Sequence, residues 1–133
     1  MSKTIFASKD AAVERRKHVL YADEHEDTRE MMRWWLDQYG YEVTTAGSLA
    51  ETLPLTGKGN FDLLILAGWF PDGVGYDLCR QIRAFDTRTP IVFLTAYAYQ
   101  ADIKKGLESG AQAYLTKPLD FDMLEQTIKE FIL

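Results

Sequence analysis

The sequence predicts an α/β protein in which a five-stranded parallel sheet carries helices on both faces. Five short apolar segments alternate with five amphipathic segments along the chain, an order typical of parallel strands joined by crossover helices. Two of the apolar segments, 62–66 and 90–94, are almost free of polar residues, as strands buried on both faces are. Glycine and proline residues separate the segments and so mark the turns between elements.

Strands are predicted where aliphatic, aromatic or β-branched residues continue for a few positions and then give way to charged or turn-forming residues. The first begins at His18, directly after a basic N-terminal stretch. The predicted strands are 18–22, 41–45, 62–66, 90–94 and 113–116.

Helices are predicted where apolar residues recur three and four positions apart. Ser48 and Glu51 form a capping box at the start of the second helix, and Pro54 should shorten or kink that helix. Phe85 is predicted on the apolar side of the third helix, at its end. The predicted helices are 26–39, a short one from 49, 76–85, 100–109 and a last one from 121 onwards.

Length, composition and charge limit the function classes. The chain has 133 residues, of which 47% are hydrophobic, a net charge of -5 and a single cysteine, Cys79. One domain fits this length, and a single cysteine forms no internal disulfide, so we expect a reducing, cytoplasmic setting. No apolar run reaches the ~20 residues of a membrane span, and the acidic balance argues against direct nucleic-acid binding.

The charge divides the chain into two parts. Residues 1–17 carry five basic and two acidic side chains, whereas the rest of the chain carries ten basic and eighteen acidic ones. We therefore expect an N-terminal extension at 1–17 and a folded domain at 18–133.

Polar side chains follow three of the predicted strands. Asp23 and Glu24 end the first strand, Thr95 ends the fourth and Lys117 ends the fifth. The carboxyl ends of parallel strands form the edge of an α/β sheet at which ligands bind. Adjacent carboxylates are hard oxygen ligands for a divalent ion such as magnesium, and a hydroxyl with an ammonium suits the oxygens of a phosphoryl group. The sequence therefore predicts a phosphoryl-type site at this edge.

Four stretches of the sequence resemble the receiver domain of two-component signalling, the CheY-like response-regulator family. The resemblance covers about 18–133, and its stretches occur in the family's order. They are VLYADEHED, FDLLILAGWFPDGVGYDLCRQIR, TPIVFLTAY and GAQAYLTKPLD. The resemblance implies a flavodoxin-like (βα)5 fold with the strand order 2-1-3-4-5.

The resemblance also implies roles for individual residues. Asp23 and Glu24 match the acidic pair that serves the metal, and Thr95 matches the switch hydroxyl. Lys117 matches the lysine that faces the phosphate, with a cis peptide bond before Pro118. Tyr114 matches the aromatic residue whose ring orientation follows the activation state.

One position departs from the family pattern. The family's third strand ends in the aspartate that accepts the phosphoryl group, and Ala67 stands there in this sequence. A methyl group forms no acyl phosphate and supplies no carboxylate to a metal. We therefore expect a weakened or absent magnesium site, made of Asp23, Glu24 and the Trp69 carbonyl, which matches the family's backbone ligand.

Three other side chains are candidate substitutes for the missing acceptor. Asp62 begins the third strand and so lies at its opposite end, Asp72 lies in the following loop, and His25 follows the acidic pair. A nucleophile needs tight positioning, so these substitutes are disfavoured. Loss of the acceptor is either a recent or deliberate change in an ordinary receiver or a natural degeneration, and both readings stay open.

The sequence therefore predicts a non-enzymatic receiver module of phosphorelay signalling that is not phosphorylatable at Ala67 and that acts through protein contacts. The first alternative is a naturally degenerate pseudo-receiver controlled by a partner. A flavodoxin-like FMN binder is a minor alternative, because the acidic loop after the first strand would repel a phosphate. An enzyme with Asp23 or Glu24 as general base is another, although it too would lack a nucleophile at Ala67.

The resemblance implies protein partners. A histidine kinase or another signalling protein would dock on the first helix, where one of Trp34 and Trp35 should face the core and the other solvent. A homodimer through the last two helices is a further expectation. The domain is expected to be either a stand-alone receiver or a piece of a longer regulator.

Overall fold

Five parallel strands form the central sheet of the protein, which we describe from a computed structural model covering residues 16–58 and 60–132. The strands are β1 (His18–Ala22), β2 (Glu42–Ala46), β3 (Leu63–Leu66), β4 (Ile91–Thr95) and β5 (Ala113–Thr116). Their order in the sheet is β2-β1-β3-β4-β5, and every neighbouring pair is parallel. The predicted fold class and strand order are confirmed.

Five helices of the described residues connect and cover these strands. They are α1 (Glu26–Gln38), α2 (Leu49–Thr56), α3 (Gly75–Arg83), α4 (Gln100–Glu108) and α5 (Phe121–Ile132). Within the same part of the chain, no helix has the length and apolar character that crossing a bilayer requires.

Side chains on the two faces of the sheet form two separate cores, as the alternation of a strand dictates. In β3, Leu63 and Ile65 point to one face and Leu64 and Leu66 to the other, and all four are buried. The first face is covered by α1 and α5, and the second by α2, α3 and α4. Buried side chains of the covering helices include Met32, Leu36, Leu124 and Ile128 on the first face, and Leu78, Cys79 and Ile82 on the second.

Element boundaries differ from the predicted ones by one or two residues, with two larger corrections. The loop after β3 contains a small antiparallel hairpin, in which Trp69–Phe70 pairs with Gly73–Val74. The third helix ends at Arg83, so Phe85 lies beyond it and is 54% exposed, not packed on an apolar side. The chain turns there, since the amides of Phe85 and Asp86 both donate to the Ile82 carbonyl.

The predicted N-terminal extension falls mostly outside the described residues, which begin at Arg16. Arg16 donates to the Asp37 carboxylate and to the carbonyl oxygens of Gly40 and Tyr41. The Lys17 carbonyl accepts from the Glu42 amide. The described end of the extension is therefore joined to the turn between α1 and β2.

Candidate functional site

Asp23 begins the site, because it is the first residue after β1. Its amide donates to the Ala46 carbonyl at 3.0 Å, which continues the ladder to β2 and fixes where the side chain points. The side chain is only 2% exposed. A carboxylate this deeply buried needs hydrogen-bond or charge partners, since an unpaired buried charge is strongly unfavourable.

Both carboxylate oxygens of Asp23 have such partners. Oδ2 accepts from the Tyr21 hydroxyl at 3.1 Å and from Lys117 Nζ at 3.2 Å. Oδ1 accepts from the His25 amide at 2.9 Å and lies 3.3 Å from His25 Nδ1. Burial, and then the negative charge of Asp23, raise the pKa of the Tyr21 phenol, so Tyr21 remains a hydrogen-bond donor.

Lys117 enters the site from the end of β5. Its amide donates to the Thr95 carbonyl at 2.9 Å, and the peptide bond between Lys117 and Pro118 is cis, as predicted. The ammonium forms an ion pair with Asp23, although the Lys117 side chain keeps about a third of its surface exposed. The strand-end residues of β1 and β5 thus meet across β3 and β4.

Thr95 ends β4 and is buried, and its hydroxyl oxygen accepts from the Tyr97 amide at 3.3 Å. Gly68 lies directly against it, because a Cβ at this position would come within 2.7 Å of Thr95 Oγ1. Glycine at residue 68 therefore leaves room for the Thr95 hydroxyl, and Thr95 lines the same pocket as Lys117.

Ala67 follows β3, and its amide donates to the Ala22 carbonyl at 2.9 Å. The residue is almost fully buried and carries only a methyl group. A pocket of about 110 Å³ opens at this point, and Asp23, Glu24, Ala67, Thr95 and Lys117 all line it. The structure therefore brings together the residues that the sequence placed at separate strand ends.

A comparison with protein-family models identifies the family of the chain. The model described as "Response regulator receiver domain" matches residues 19–129, which is most of the chain. The chain belongs to this family.

Individual relatives and solved structures agree with this assignment. The probable transcriptional regulator ycf27 of Guillardia theta is 36% identical over 120 residues, or 90% of this chain and 47% of that protein. The crystal structure of a two-component response regulator from Clostridium difficile has a TM-score of 0.84 at 28% identity, over 88% of this chain and 96% of the other. The response regulator TrrA from Thermotoga maritima, solved in complex with Mg(2+)-BeF, has a TM-score of 0.80 at 32% identity, over 87% and 99%. This chain spans about half the length of the curated transcriptional regulators that it matches.

The pocket of this receiver offers few free oxygen ligands to a magnesium ion in the arrangement described. Magnesium prefers carboxylate and carbonyl oxygens. Asp23, Glu24 and Trp69 line the pocket, but the Asp23 oxygens are engaged with protein donors and Ala67 adds no oxygen. Among residues 16–58 and 60–132, no three His, Cys, Asp or Glu side chains are grouped so as to hold a metal ion.

Neither Asp62 nor Asp72 lines the pocket of the receiver. The Asp62 carboxylate accepts from the His18 amide at 2.8 Å, at the opposite end of β1. Asp72 instead accepts from the amides of Leu49 and Ala50 at the start of α2, and these bonds lower the pKa of its carboxyl. His25 does line the pocket, where it lies against Asp23.

Tyr114 lies in β5 and packs on the face that α3 and α4 cover. Its hydroxyl donates to the Tyr97 carbonyl at 2.7 Å, and its ring lies 5.8 Å from that of Phe93. Burial, and then its hydrogen bond with Tyr76, raise the pKa of the Tyr114 phenol. Tyr114 is linked to the pocket through Tyr97, whose amide donates to Thr95.

Two residues of the site were missed by the sequence analysis. Tyr21 is two residues before Asp23 and therefore on the same side of the strand, a spacing that could have indicated the contact. Arg29 donates to the carbonyl oxygens of Asp23 at 2.8 Å and Glu24 at 3.0 Å, and so holds the loop after β1. A single arginine in the first turns of a helix gives no sequence signal for that role.

Proposed function

We propose that this receiver is a signalling module that is not phosphorylated at the end of β3 and that acts through contacts with other proteins. The observation that carries the proposal is Ala67, whose methyl group stands in the pocket with Asp23, Thr95 and Lys117. A methyl group has no oxygen with which to form an acyl phosphate. The module therefore lacks the covalent input that the family resemblance implies.

The residues to which the family resemblance assigns the switch are present in this receiver. Thr95, Lys117 and Tyr114 are connected by backbone and side-chain hydrogen bonds through Tyr97, so a change at the pocket has a route to the α4 face. Without a phosphoryl group, the balance between two conformations depends on whichever molecule binds one of them better. Control by a protein partner is therefore the form of regulation that this chain retains, as in a pseudo-receiver.

We also propose that magnesium binding is weakened in this receiver. Asp23, Glu24 and the Trp69 carbonyl are the oxygen donors that would remain, and calcium- and magnesium-type sites lose affinity as ligand charge falls. No step of the proposed function depends on the ion.

The proposed partner is a histidine kinase or another signalling protein that docks on α1. Trp34 is 65% exposed on this helix, whereas Trp35 packs between Tyr39 and Phe121 with ring centroids 4.5 and 5.0 Å away. An exposed tryptophan is a common anchor of protein interfaces. Pairing of two copies through α4 and α5 is a second proposed contact.

The proposal also covers the bounds of the domain, its location in the cell and the ligands that it does not bind. We propose that the receiver spans 18–133, that it acts in the cytoplasm, and that it binds neither membranes nor nucleic acid directly. Flavin binding is disfavoured, because the carboxylates of Asp23 and Glu24 line the pocket where a phosphate would have to lie.

Incubation with acetyl phosphate and magnesium, followed by intact-mass measurement, tests the proposal. The wild type should gain no base-labile phosphoryl group, whereas Ala67→Asp should gain one. Ala67→Asn is the matched control, because it has nearly the shape of aspartate without a nucleophilic carboxylate. A base-labile phosphoryl adduct on the wild type would show that another side chain accepts the group, and it would refute the proposal that this module lacks a covalent phosphoryl input.

A further inference from the structure

We propose that the Lys117 ammonium takes the place of a metal ion beside Asp23, so that the pocket of this receiver is charge-compensated from within and its resting state is independent of magnesium. The inference deepens the proposed function and rests on it, because both concern the pocket in which Ala67 supplies no carboxylate at the end of β3. It assigns to Lys117 a role towards Asp23 that differs from contact with a phosphate.

The first support is the set of protein donors around the Asp23 carboxylate. Lys117 Nζ and the Tyr21 hydroxyl both donate to Oδ2, and the His25 amide donates to Oδ1. The carboxylate is 2% exposed, so water contributes little to its stabilisation. A magnesium ion that binds Oδ2 must displace the Lys117 ammonium or share the oxygen with it.

The second support is the lack of a competing carboxylate for Lys117. Within residues 16–58 and 60–132, the Lys117 ammonium has one carboxylate partner, Asp23. An aspartate at 67 would add a second carboxylate at the end of β3, next to the same ammonium. Because Ala67 removes that competitor, Asp23 is the carboxylate with which the ammonium pairs.

The third support is the charge of the pocket. Its lining contains two carboxylates, Asp23 and Glu24, and one ammonium, Lys117. Glu24 Oε1 lies 3.6 Å from His25 Nε2 and stands nearer to solvent than Asp23. One negative charge therefore remains to attract a divalent ion, and repulsion by the ammonium opposes the ion at short range.

A magnesium titration of thermal stability tests this inference. Lys117→Met removes the ammonium and keeps an unbranched apolar stem, so magnesium should raise the melting temperature of this variant and compensate Asp23 in place of lysine. We expect its apparent magnesium affinity to exceed that of the wild type by about tenfold or more, as the loss of a repelling charge a few ångströms away predicts. Lys104→Met is the matched control, because Lys104 is exposed on α4 and pairs only weakly with Glu108, at 4.0 Å.

Equal magnesium responses of the wild type and Lys117→Met would overturn the inference. Asp23→Asn combined with Lys117→Met should abolish the gained response, and a response that survives this change would place the ion elsewhere and also overturn it. If Lys117→Met folds only when magnesium is present, that outcome supports the inference. If it does not fold in either condition, Lys117→Gln serves instead, and the inference fails if that variant gains no affinity.

The two proposals fail in different experiments. A phosphoryl adduct on the wild type would refute the proposed function without bearing on how Lys117 competes with magnesium. Equal magnesium responses would refute the inference about Lys117 and leave the absence of phosphorylation at Ala67 intact.

Discussion

Gly106 of α4 supplies the flat surface on which the Tyr114 ring rests, and its replacement by alanine tests the position of that ring. A Cβ at residue 106 would lie 2.6 Å from Tyr114 Cδ2 and 2.7 Å from Cε2, distances that force the ring to move. Its distance to Phe93 Cδ2 would be 3.3 Å, which a small adjustment relieves. Gly106→Ala should therefore displace Tyr114 and break its hydrogen bond to the Tyr97 carbonyl.

The change in the free energy of unfolding caused by Gly106→Ala is the sum of opposing effects. Replacing a helical glycine by alanine stabilises the helix by up to about 1 kcal/mol. Loss of the Tyr114 hydrogen bond costs about 1 kcal/mol, and forcing a methyl group against a packed ring costs about 1–3 kcal/mol. The net result should be a destabilisation of roughly 1–3 kcal/mol, and the urea midpoint should fall by about 0.5–1.5 M at a slope of about 2 kcal/mol per M.

A double-mutant cycle with Tyr114→Ala isolates the contact. In that background there is no ring to displace, so Gly106→Ala should stabilise the receiver by up to about 1 kcal/mol and the sign of its effect should reverse. Urea unfolding followed by far-ultraviolet circular dichroism measures all four proteins. Lys105→Ala, at an exposed position of the same helix, should change stability by less than about 0.5 kcal/mol. The same destabilisation by Gly106→Ala in both backgrounds would refute the packing described for Tyr114.

Three further predictions follow from the hydrogen bonds and close contacts. Because burial raises the pKa of Tyr114 above 10.0, its neutral form contributes stability that is fully present below pH 10.0 and is lost as the pH rises further; ultraviolet titration should show a late tyrosine ionisation that is absent in Tyr114→Phe. The Leu49 and Ala50 amides lower the pKa of Asp72, so the ionised carboxylate contributes to the free energy of unfolding above pH 3.8, and this contribution is lost as the pH falls. The difference in stability between the wild type and Asp72→Asn should therefore become smaller in acid. A difference that does not change with pH would contradict this. Gly75→Ala should unfold at markedly lower urea, since a methyl group there would overlap the Ala67 carbonyl, and an unchanged midpoint would disprove that contact.

Most of the fold could be predicted from the sequence, because buried parallel strands leave a continuous apolar signal. The run at Leu63–Leu66 is fully buried, and the strand there was expected within one residue. The hairpin of Trp69–Phe70 and Gly73–Val74 could not be predicted, since two-residue strands have no measurable period. Phe85 was misplaced because apolar spacing continues beyond the point at which the chain leaves the helix.

The sequence predicted the strand-end residues of the candidate site but not the contacts that hold them in place. Asp23, Thr95 and Lys117 meet because parallel strands bring their carboxyl ends to one edge, which follows from topology alone. The ion pair between Lys117 and Asp23 could not be predicted, because it depends on which carboxylates lie within reach after folding. The same holds for Arg29, whose contacts are to backbone oxygens and leave no trace in residue type.

Arg16 gives a practical boundary for anyone who wishes to express or transplant this module. Helix α1 has no basic residue in its own last turn, and Arg16 supplies a cation there by its 2.7 Å contact with Asp37 and its bond to the Gly40 carbonyl at 2.9 Å. A fragment that begins at His18 would lack Arg16, and the carbonyl oxygens of Gly40 and Tyr41 would then lose this hydrogen-bond donor. Chimeras and truncations that begin at or before Arg16 keep the α1–β2 corner closed, and those that begin at His18 should fray there first.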